Sequence, residues 1–368
     1  MWSEWRTVAL SDVADLSMGE TLLSKNLTGD GIPVFSANTD EGPWGYTSNN
    51  RRRLRRGDIV IGARGSIGYP RRPNFDAFTC TQTTIAVEPD HAVVNSEYLH
   101  YALCAADILG IASQQAVPML TIGALSPLEI TLPKIDEQRR IAEVLRSVDE
   151  AIAANEAALA SCRGLVGKLA RDVTESCEAT TTMASLGKIV TGRTPSPKQA
   201  ELWGGDLPFV TPGDLVAGNI SVSDASRTLV ADSGHGATVL PANSVLVTCI
   251  GSTVGKTAIA RERCVTNQQI NAICCPPQIA GFAYLASVAA YDTIVAHAGK
   301  QAVPIINKST FSAIEVPALS QADMIEISAM VDAIDGEIVA AQTSLETLHR
   351  TKANLMSDLL SGRVRVPA

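Results

Sequence analysis

The sequence predicts an α+β protein with two globular domains, built of short strands plus helices, separated by two long helices that form an antiparallel coiled coil. Three observations support this fold class. The 368 residues contain an internal repeat. Each copy begins with short apolar runs between Gly-rich and Pro-rich turns and ends in a long segment with apolar residues at heptad spacing. We therefore expect two copies of one unit.

The internal repeat keeps a constant offset over most of its length. The tetrapeptide QAVP at 115–118 recurs at 301–304, and the Gly-Ser pair at 65–66 recurs at 251–252. Both recurrences lie 186 positions apart. One offset shared by separate segments is hard to produce by chance, so the repeat indicates a duplicated fold.

The first part of each copy is predicted to consist of short strands, tight turns and one or two helices. Its apolar runs are short, as in 32–35 and 207–210, which align at an offset of 175. The pattern predicts helices over 96–109 and 281–297. The second of these lies in the most hydrophobic stretch of the chain. Asp292 within it favours a buried helix over a membrane span.

The second part of each copy is predicted to be one long helix. Its apolar residues follow one another at alternating spacings of three and four, which is the pattern of a coiled-coil seam. The seam of the second copy lies 186 positions after that of the first and has the same register. Two matched seams favour pairing with each other. The predicted seam residues are Ile141, Leu145, Val148, Ile152, Leu159, Val166, Leu169, Val173, Ile327, Val331, Ile334, Ile338, Leu345, Leu348, Leu355 and Leu359.

These patterns divide the chain into five parts. We expect a first globular domain at 1–132, a central helix at 133–178, a second globular domain at 179–316, a C-terminal helix at 317–362 and a tail at 363–368. Each long helix then follows its own globular domain.

The motif content argues against several kinds of chemistry. None of the eight cysteines forms a C-x-x-C pair and the five histidines lack zinc-like spacing, so free thiols and no metal site are expected. The segment 251–257, GSTVGKT, has one residue too few before its Gly-Lys pair to be a phosphate-binding loop. No methyltransferase or hydrolase signature occurs, and the N-terminus has no basic and apolar leader. We expect a cytoplasmic binding protein that is neither an enzyme nor inserted in a membrane.

The charge is distributed unevenly. A net charge of −8 argues against a protein that grips nucleic acid over its whole surface. Between 51 and 72, however, eight arginines face one acidic residue, which is typical either of a solvated or partner-binding surface or of a loop that contacts phosphates. The second copy is less basic. The candidate DNA-binding residues are Arg51, Arg52, Arg53, Arg55, Arg56, Arg64, Arg71 and Arg72 in the first copy and Arg193, Lys198, Lys256, Arg261 and Arg263 in the second, where Arg227 adds a further basic side chain.

Two glutamines occupy one repeat position. Gln82 and Gln268 could in principle contact adenine edges, because the glutamine amide matches the donor and acceptor of that base. Their equivalent placement instead favours a structural hydrogen bond common to both copies.

Eight segments carry motifs whose order and duplication are specific as a set. They are LPKIDEQRRIAEVL at 132–145, TGRTP at 191–195, GDLPFVTPGDL at 205–215, GSTVG at 251–255 and NQQI at 267–270, with weaker motifs at 31–34, 42–47 and 57–62. Through these motifs the sequence resembles the specificity (S) subunit of Type I restriction-modification systems, and the resemblance covers essentially the whole chain. The second long helix departs from the pattern. Asp323 and Met324 occupy the positions at which a Glu-Gln pair is usual in this family.

The resemblance implies a DNA-recognition subunit without its own catalysis. Each globular domain would be a target-recognition domain for one half of a bipartite, asymmetric site in double-stranded DNA, and the helical pair would set the half-site spacing. Two methyltransferase subunits would bind, with motor-nuclease subunits added for restriction. S-adenosylmethionine is then expected in the methyltransferase subunits and no cofactor in this chain.

Two other functions remain open at the level of the sequence. One is a stand-alone DNA-binding regulator whose duplicated domains recognise an operator. The other is a DNA-processing enzyme, such as a nuclease, whose site carries no recognisable motif. Tight, specific DNA binding by the chain alone would support the regulator, and metal-dependent cleavage by the chain alone would support the enzyme.

Overall fold

The computed structural model describes residues 5–38, 42–48, 52–113, 118–196, 198–222, 224–231 and 236–366. The described chain forms two compact units. Unit 1 comprises residues 1–153 and 346–368, and unit 2 comprises residues 154–345. Each unit contains one globular part and a segment of each long helix.

The globular part of unit 1 is built from short strands and two helices. The strands are β1 (Arg6–Ala9), β2 (Ala14–Met18), β3 (Ile32–Phe35), β4 (Gly45–Thr47), β5 (Leu54–Arg55), β6 (Ile59–Gly62), β7 (Pro70–Arg71), β8 (Ala77–Cys80), β9 (Thr84–Pro89) and β10 (Glu129–Leu132), and the helices are α1 (Ser96–Ala105) and α2 (Ile122–Leu125). They form sheets in the orders β2-β9-β6-β7 and β4-β3-β8-β5 and the antiparallel pair β1-β10. The first long helix, α3, follows at Ile135–Ser176.

Unit 2 repeats this plan with strands of somewhat different length. Its strands are β11 (Thr180–Thr182), β12 (Lys188–Thr191), β13 (Trp203–Val210), β14 (Arg227–Leu229), β15 (Ser244–Thr248), β16 (Thr257–Ala260), β17 (Val265–Thr266), β18 (Ile270–Cys274) and β19 (Glu315–Pro317). Its helices are α4 (Met183–Leu186), α5 (Ala280–Ala289), α6 (Tyr291–Ala298) and α7 (Lys308–Ser312), followed by the second long helix α8 (Gln321–Leu360).

The sheet orders of the two units are equivalent. Unit 2 has β12-β18-β15-β16, β14-β13-β17 and β11-β19, which correspond strand for strand to the sheets of unit 1 except for β5. In both units one pair of neighbouring strands is parallel, β3 with β8 and β13 with β17. The internal repeat of the sequence is therefore a repeat of topology.

The predicted helices of the globular parts are shorter than expected. The helix expected over 96–109 ends at Ala105. The one expected over 281–297 is interrupted after Ala289, and the axes of its two parts differ by 56°. Among the described residues, no single helix has the length and apolar character needed to cross a membrane, although this bent pair passes on length and composition alone. Eight residues of α5 are buried in the core of unit 2.

The two long helices pack against each other within each unit. In unit 1, Ile141 and Leu145 of α3 share an apolar cluster with Leu359 of α8, and Asp149 Oδ1 lies 2.6 Å from Lys352 Nζ. The early part of α3 thus meets the late part of α8, so these segments are antiparallel.

In unit 2, the late part of α3 and the early part of α8 share one cluster, as Val166 and Val331 illustrate. All sixteen predicted seam residues are buried or half-buried. In unit 2, as in unit 1, both long helices therefore contribute to one apolar core.

The entrances to the two long helices use different contacts. Gln138 of α3 is fully buried, and its Oε1 accepts from the Asn95 amide, 2.8 Å away, at the start of α1. In unit 2, Ser328 Oγ of α8 accepts from the Phe282 amide at 2.9 Å, near the start of α5. A different side chain therefore holds the short helix in each copy, which accommodates Met324 at the position equivalent to Gln138.

Candidate nucleic-acid interface

Several arginines of the basic segment in unit 1 already have partners. Their guanidinium groups contact carboxylates of neighbouring strands or of α1: Arg52 with Glu88, Arg56 with Asp76 at 2.9 Å, and Arg72 with Glu97 at 2.8 Å. An ion pair neutralises the charge locally and would have to be rearranged for a phosphate contact. These three arginines are therefore weaker candidates for DNA contact than the sequence alone indicates.

Three arginines of the same segment remain available. Arg53, Arg55 and Arg64 are exposed, and no ion pair joins them to a carboxylate among the residues that the structure describes, although Asp58 lies close enough to Arg55 for their charges to interact. Arg64 Nε lies 3.0 Å from Met119 Sδ, which leaves its positive charge uncompensated. Arg51, another of the predicted candidates, lies outside the described residues. The available charge in unit 1 is therefore concentrated in β5 and in the turn between β6 and β7.

Arg71 lies beside a cavity of about 600 Å³ in unit 1. Its guanidinium lies 5.6 Å from the Phe35 ring centroid, and its Nη1 donates to Asn38 Oδ1 at 2.9 Å. The same cavity is lined by His100 and Cys104, whose Nε2 and Sγ lie 3.5 Å apart.

The His100 and Cys104 pair is not an activated nucleophile. Loss of hydration lowers the pKa of His100 to about 4 and raises the pKa of the Cys104 thiol to about 11. At neutral pH the imidazole is uncharged and the thiol is protonated, whereas a nucleophilic cysteine needs a thiolate.

In unit 2, Arg261 is directed toward a long helix. Its Nε and Nη2 donate to Asp335 Oδ2 at 3.0 and 2.7 Å, and Nη2 also donates to Asp332 Oδ1 at 2.9 Å. Both carboxylates belong to α8, so Arg261 fastens the end of β16 to that helix. Its charge is compensated inside the unit, and the expectation of a DNA contact here is not supported by its surroundings.

The other basic candidates of unit 2 differ in their availability. Lys256 Nζ donates to the Leu215 carbonyl at 2.8 Å and lines a cavity of about 310 Å³. Arg193, Lys198 and Arg263 are exposed without acidic partners in the described part of the chain. Unit 2 therefore offers three free cations among the predicted candidates.

Arg227 is the site residue whose importance the sequence does not signal. Its guanidinium lies 3.6 Å from the centroid of the Trp203 ring and 5.9 Å from that of Phe209. The two aromatic residues lie on β13 and Arg227 on the neighbouring β14. Only strand pairing brings them together, so no local motif could have indicated the contact.

The predicted structural role of the two glutamines is confirmed. Thr21 Oγ1 donates to Gln82 Oε1 at 2.6 Å, and Thr194 Oγ1 donates to Gln268 Oε1 at 2.7 Å. The same hydrogen bond therefore occurs in both copies. Each amide oxygen accepts a hydrogen bond inside the protein, which supports the structural role.

No group of three or more metal-ligating side chains occurs within the described residues. The cysteines are free thiols, and burial raises the pKa of Cys80, Cys249 and Cys275 to about 11. In the turn expected not to bind nucleotide phosphates, Gly251 and Gly255 have φ values of 100° and 89°, which favour glycine.

Comparison with solved structures identifies proteins with a similar fold. The chain is similar to a crystal structure of the Type I restriction-modification system S subunit from M. genitalium, with a TM-score of 0.72 at 18% identity over 97% of this chain and 96% of that chain. It also matches a chain from a study of complex assembly and conformational transition of the Type I restriction-modification system, with a TM-score of 0.52 at 16% identity over 97% of each chain.

Two curated relatives are similar over part of their length. The specificity subunit of Type I restriction enzyme HindI from Haemophilus influenzae is 29% identical over 50% of this chain and 40% of its own length. The specificity subunit of Type I restriction enzyme MjaIX from Methanocaldococcus jannaschii is 27% identical over 47% of this chain and 41% of its own. Each alignment thus spans about two fifths of the curated relative.

The family comparison covers most of the sequence. The model described as the Type I restriction modification DNA specificity domain matches residues 2–161 and again residues 179–348. The two matches coincide with the two copies of the internal repeat and take in both globular parts. The chain therefore belongs to the family of Type I restriction modification DNA specificity domains and carries that domain twice.

Proposed function

We propose that this chain is the sequence-specific DNA-recognition subunit of a Type I restriction-modification complex. The observation that carries the proposal is the DNA specificity domain matched twice, on two globular parts with equivalent sheet orders. Each copy recognises one half of a bipartite site in double-stranded DNA.

The asymmetry of the site follows from the differences between the copies. Among the predicted candidates, the free cations of unit 1 lie in or next to β5 and in the turn between β6 and β7, whereas those of unit 2 lie after β12 and just before β17. Arg227 on β14 is a further exposed cation of unit 2. Contacts to bases determine which sequence is bound, whereas contacts to phosphates fix the position of the protein on the duplex. A shared fold with different exposed side chains therefore suits two half-sites with different sequences.

The chain supplies recognition, and its partners supply chemistry. Two methyltransferase subunits, which bind S-adenosylmethionine, modify the site in this proposal, and motor-nuclease subunits join for restriction. The chain itself is non-catalytic and works in the cytoplasm, where the DNA is. Its acidic long helix α8, with Asp332 and Asp335 already paired to Arg261, suits a protein partner better than the phosphate backbone.

Methylation mapping tests the whole proposal. Methylated bases in host DNA are compared with and without this chain, with the partner subunits expressed in both cases. Loss of a single split motif is expected. An unchanged methylation pattern would contradict the proposal, and tight specific DNA binding by the isolated chain would favour a stand-alone regulator instead.

The role of each unit can be tested separately. Replacing residues 1–132 with the equivalent domain of a relative should change only one half of the motif. Inserting one heptad within 141–173 and one at the equivalent place in α8 keeps the seam in register and adds about 10 Å of helix. We expect the spacer to lengthen by about three base pairs, since ten pairs span about 34 Å. A changed half-site with an unchanged spacer would refute the spacing role.

The free arginines of unit 1 provide a test of the phosphate contacts. The variant with Arg53→Ala, Arg55→Ala and Arg64→Ala should reduce the slope of log affinity against log salt by up to about 3, since each lost phosphate contact removes about 0.9. Arg56→Ala is the matched control, because Arg56 is exposed but paired with Asp76. A slope reduced by about 0.9 in the control, the value expected for one lost phosphate contact, would refute the distinction between free and paired arginines.

A further inference from the structure

The strongest unassigned feature of the molecule is the stack of Arg227 on Trp203 in unit 2. The guanidinium carbon lies 3.6 Å from the indole centroid. Trp203 is itself held in place, because its Nε1 donates to the Ser196 carbonyl at 3.2 Å and its ring packs edge-on against Phe209 with the centroids 5.1 Å apart. The arginine therefore lies over a rigid aromatic support.

The stack limits the positions that the arginine can take while leaving its donors unused. Arg227 is exposed, and among the described residues no carboxylate or carbonyl accepts from its side chain. Stacking uses the face of the guanidinium, so the N–H groups along its edge point away from the ring. The guanidinium is a planar fork of donors held in one orientation, and such a fork fits two adjacent acceptors on one group. General attraction to an anion would not need a fixed orientation.

The first copy has no equivalent side chain. Arg227 on β14 is the strand partner of Phe209, and in unit 1 the corresponding partner of Val34 on β4 is Gly45. The two copies share the strand pairing but differ at this position between an arginine and a glycine. This is the kind of difference that a protein with two unlike half-sites requires.

We propose that Arg227, oriented by Trp203, recognises one guanine in the half-site bound by unit 2. The inference rests on the proposed DNA-recognition function. The guanine N7 and O6 atoms present two adjacent acceptors in the major groove, and an arginine fork meets both at once. A single phosphate offers oxygens too, but several flexible cations serve that purpose and need no stacked support. Trp203 is a positioning residue, and Arg227 makes the contact.

The test uses the full chain in complex with its methyltransferase subunits. Binding is measured by fluorescence anisotropy on synthetic duplexes that carry the split motif found by methylation mapping. Each G·C pair of the half-site assigned to unit 2 is changed in turn, and each guanine is separately replaced by 7-deazaguanine, which lacks the N7 acceptor. Wild type, Arg227→Ala and Arg227→Lys are compared, with Arg171→Ala as the control, because Arg171 is an exposed arginine of unit 2 that is not among the candidate DNA-binding residues.

The expected result is a loss of discrimination at one position. For Arg227→Ala, the preference for one G·C pair should fall by roughly 5- to 150-fold, which is the range for a bidentate contact, while the other half-site is unaffected. The 7-deazaguanine at that position should weaken wild type and leave Arg227→Ala unchanged, because the two changes remove the same contact. Arg227→Lys keeps the charge but loses the stacked plane, and it should recover only part of the preference. Arg171→Ala should keep the full preference at this pair.

Other outcomes overturn the inference. If Arg227→Ala weakens all sequences equally and lowers the salt slope by about one, Arg227 contacts a phosphate. An unchanged preference, or a half-site for unit 2 without any G·C pair, also refutes the guanine contact. These results leave the proposed function intact. A wild-type complex that shows no split motif refutes the proposed function and this inference with it.

Discussion

Replacing Arg261 should weaken the attachment of the β-sheet to α8 without removing a DNA contact. Asp335 is the main acceptor, and its side chain is only 8% exposed, compared with 30% for Arg261. Arg261→Ala leaves the carboxylate with hydrogen bonds from Ser221, at 3.2 Å from the amide and 2.9 Å from Oγ. The loss of the arginine therefore leaves one buried charge only partly compensated.

The cost can be bounded from the two limiting cases. Breaking a fully buried pair costs about 3–5 kcal/mol, and an exposed pair contributes about 0–1 kcal/mol. With one partner buried and the other about a third exposed, we expect a loss of about 2 kcal/mol. A loss of this size corresponds to about a 30-fold increase in local opening of unit 2.

Hydrogen exchange is the suitable assay, because a chain with two units need not unfold in one step. Amides of β16 and of the early part of α8 should exchange faster in Arg261→Ala, whereas amides of unit 1 should not. Asp335→Asn removes the uncompensated charge, so it should suppress much of the effect in the double variant. The salt dependence of DNA binding should stay at its wild-type value.

Two results would refute this reasoning. A change in opening free energy below about 0.5 kcal/mol would mean that the pair contributes no more than a surface contact. A salt slope reduced by about one at unchanged stability would mean that Arg261 contacts a phosphate.

Three further predictions concern pH and packing. The hydrogen bond and charge of Arg365 hold the pKa of Glu137 below its ordinary value of 4.5. The contact therefore stabilises unit 1 above that pH, and the stabilisation is lost as the pH falls through the lower pKa of the folded state. Arg365→Ala should make unfolding in acid, followed by circular dichroism, less dependent on pH, and an unchanged pH dependence would contradict this. Gln268→Ala should destabilise unit 2 by about 1 kcal/mol with the methylation motif unchanged, as should Gln82→Ala in unit 1, and an altered motif would show that these glutamines contact bases. Gly192→Ala should destabilise unit 2 by at least about 2 kcal/mol in urea unfolding, because a Cβ there would lie 2.2 Å from the Asn267 carbonyl oxygen; wild-type stability would show that this backbone can shift.

The repeat and the long helices were predictable because they depend on periodic patterns. A seam such as Ile141 to Val173 needs only apolar residues at regular spacing, and the sequence displays that spacing directly. The helix α3 accordingly runs over Ile135–Ser176, against an expected 133–178. The break after Ala289 was not predictable from the sequence, since residues 282–298 contain no glycine or proline that would mark it.

The site was less predictable, because a sequence does not show which acidic side chain, if any, a basic side chain contacts. Arg72 and Arg64 look alike in the sequence, yet one pairs with Glu97 on α1 and the other has no acidic partner among the described residues. The same limit applies to Arg227, whose aromatic support lies on another strand. Contacts of this kind depend on strand pairing, which periodicity does not define.

The composition of unit 1 from two separate stretches of chain has a consequence for synthesis on the ribosome. Residues 154–345 form unit 2 without interruption, so this unit can fold as soon as they have emerged. Unit 1 is begun first but has to wait for the segment after 345, which brings Leu359 and Leu360 to the cluster around Ile141. The part translated earliest is thus the last to be completed, and a ribosome that stops before residue 346 releases a chain with a finished second unit and an open, apolar first one.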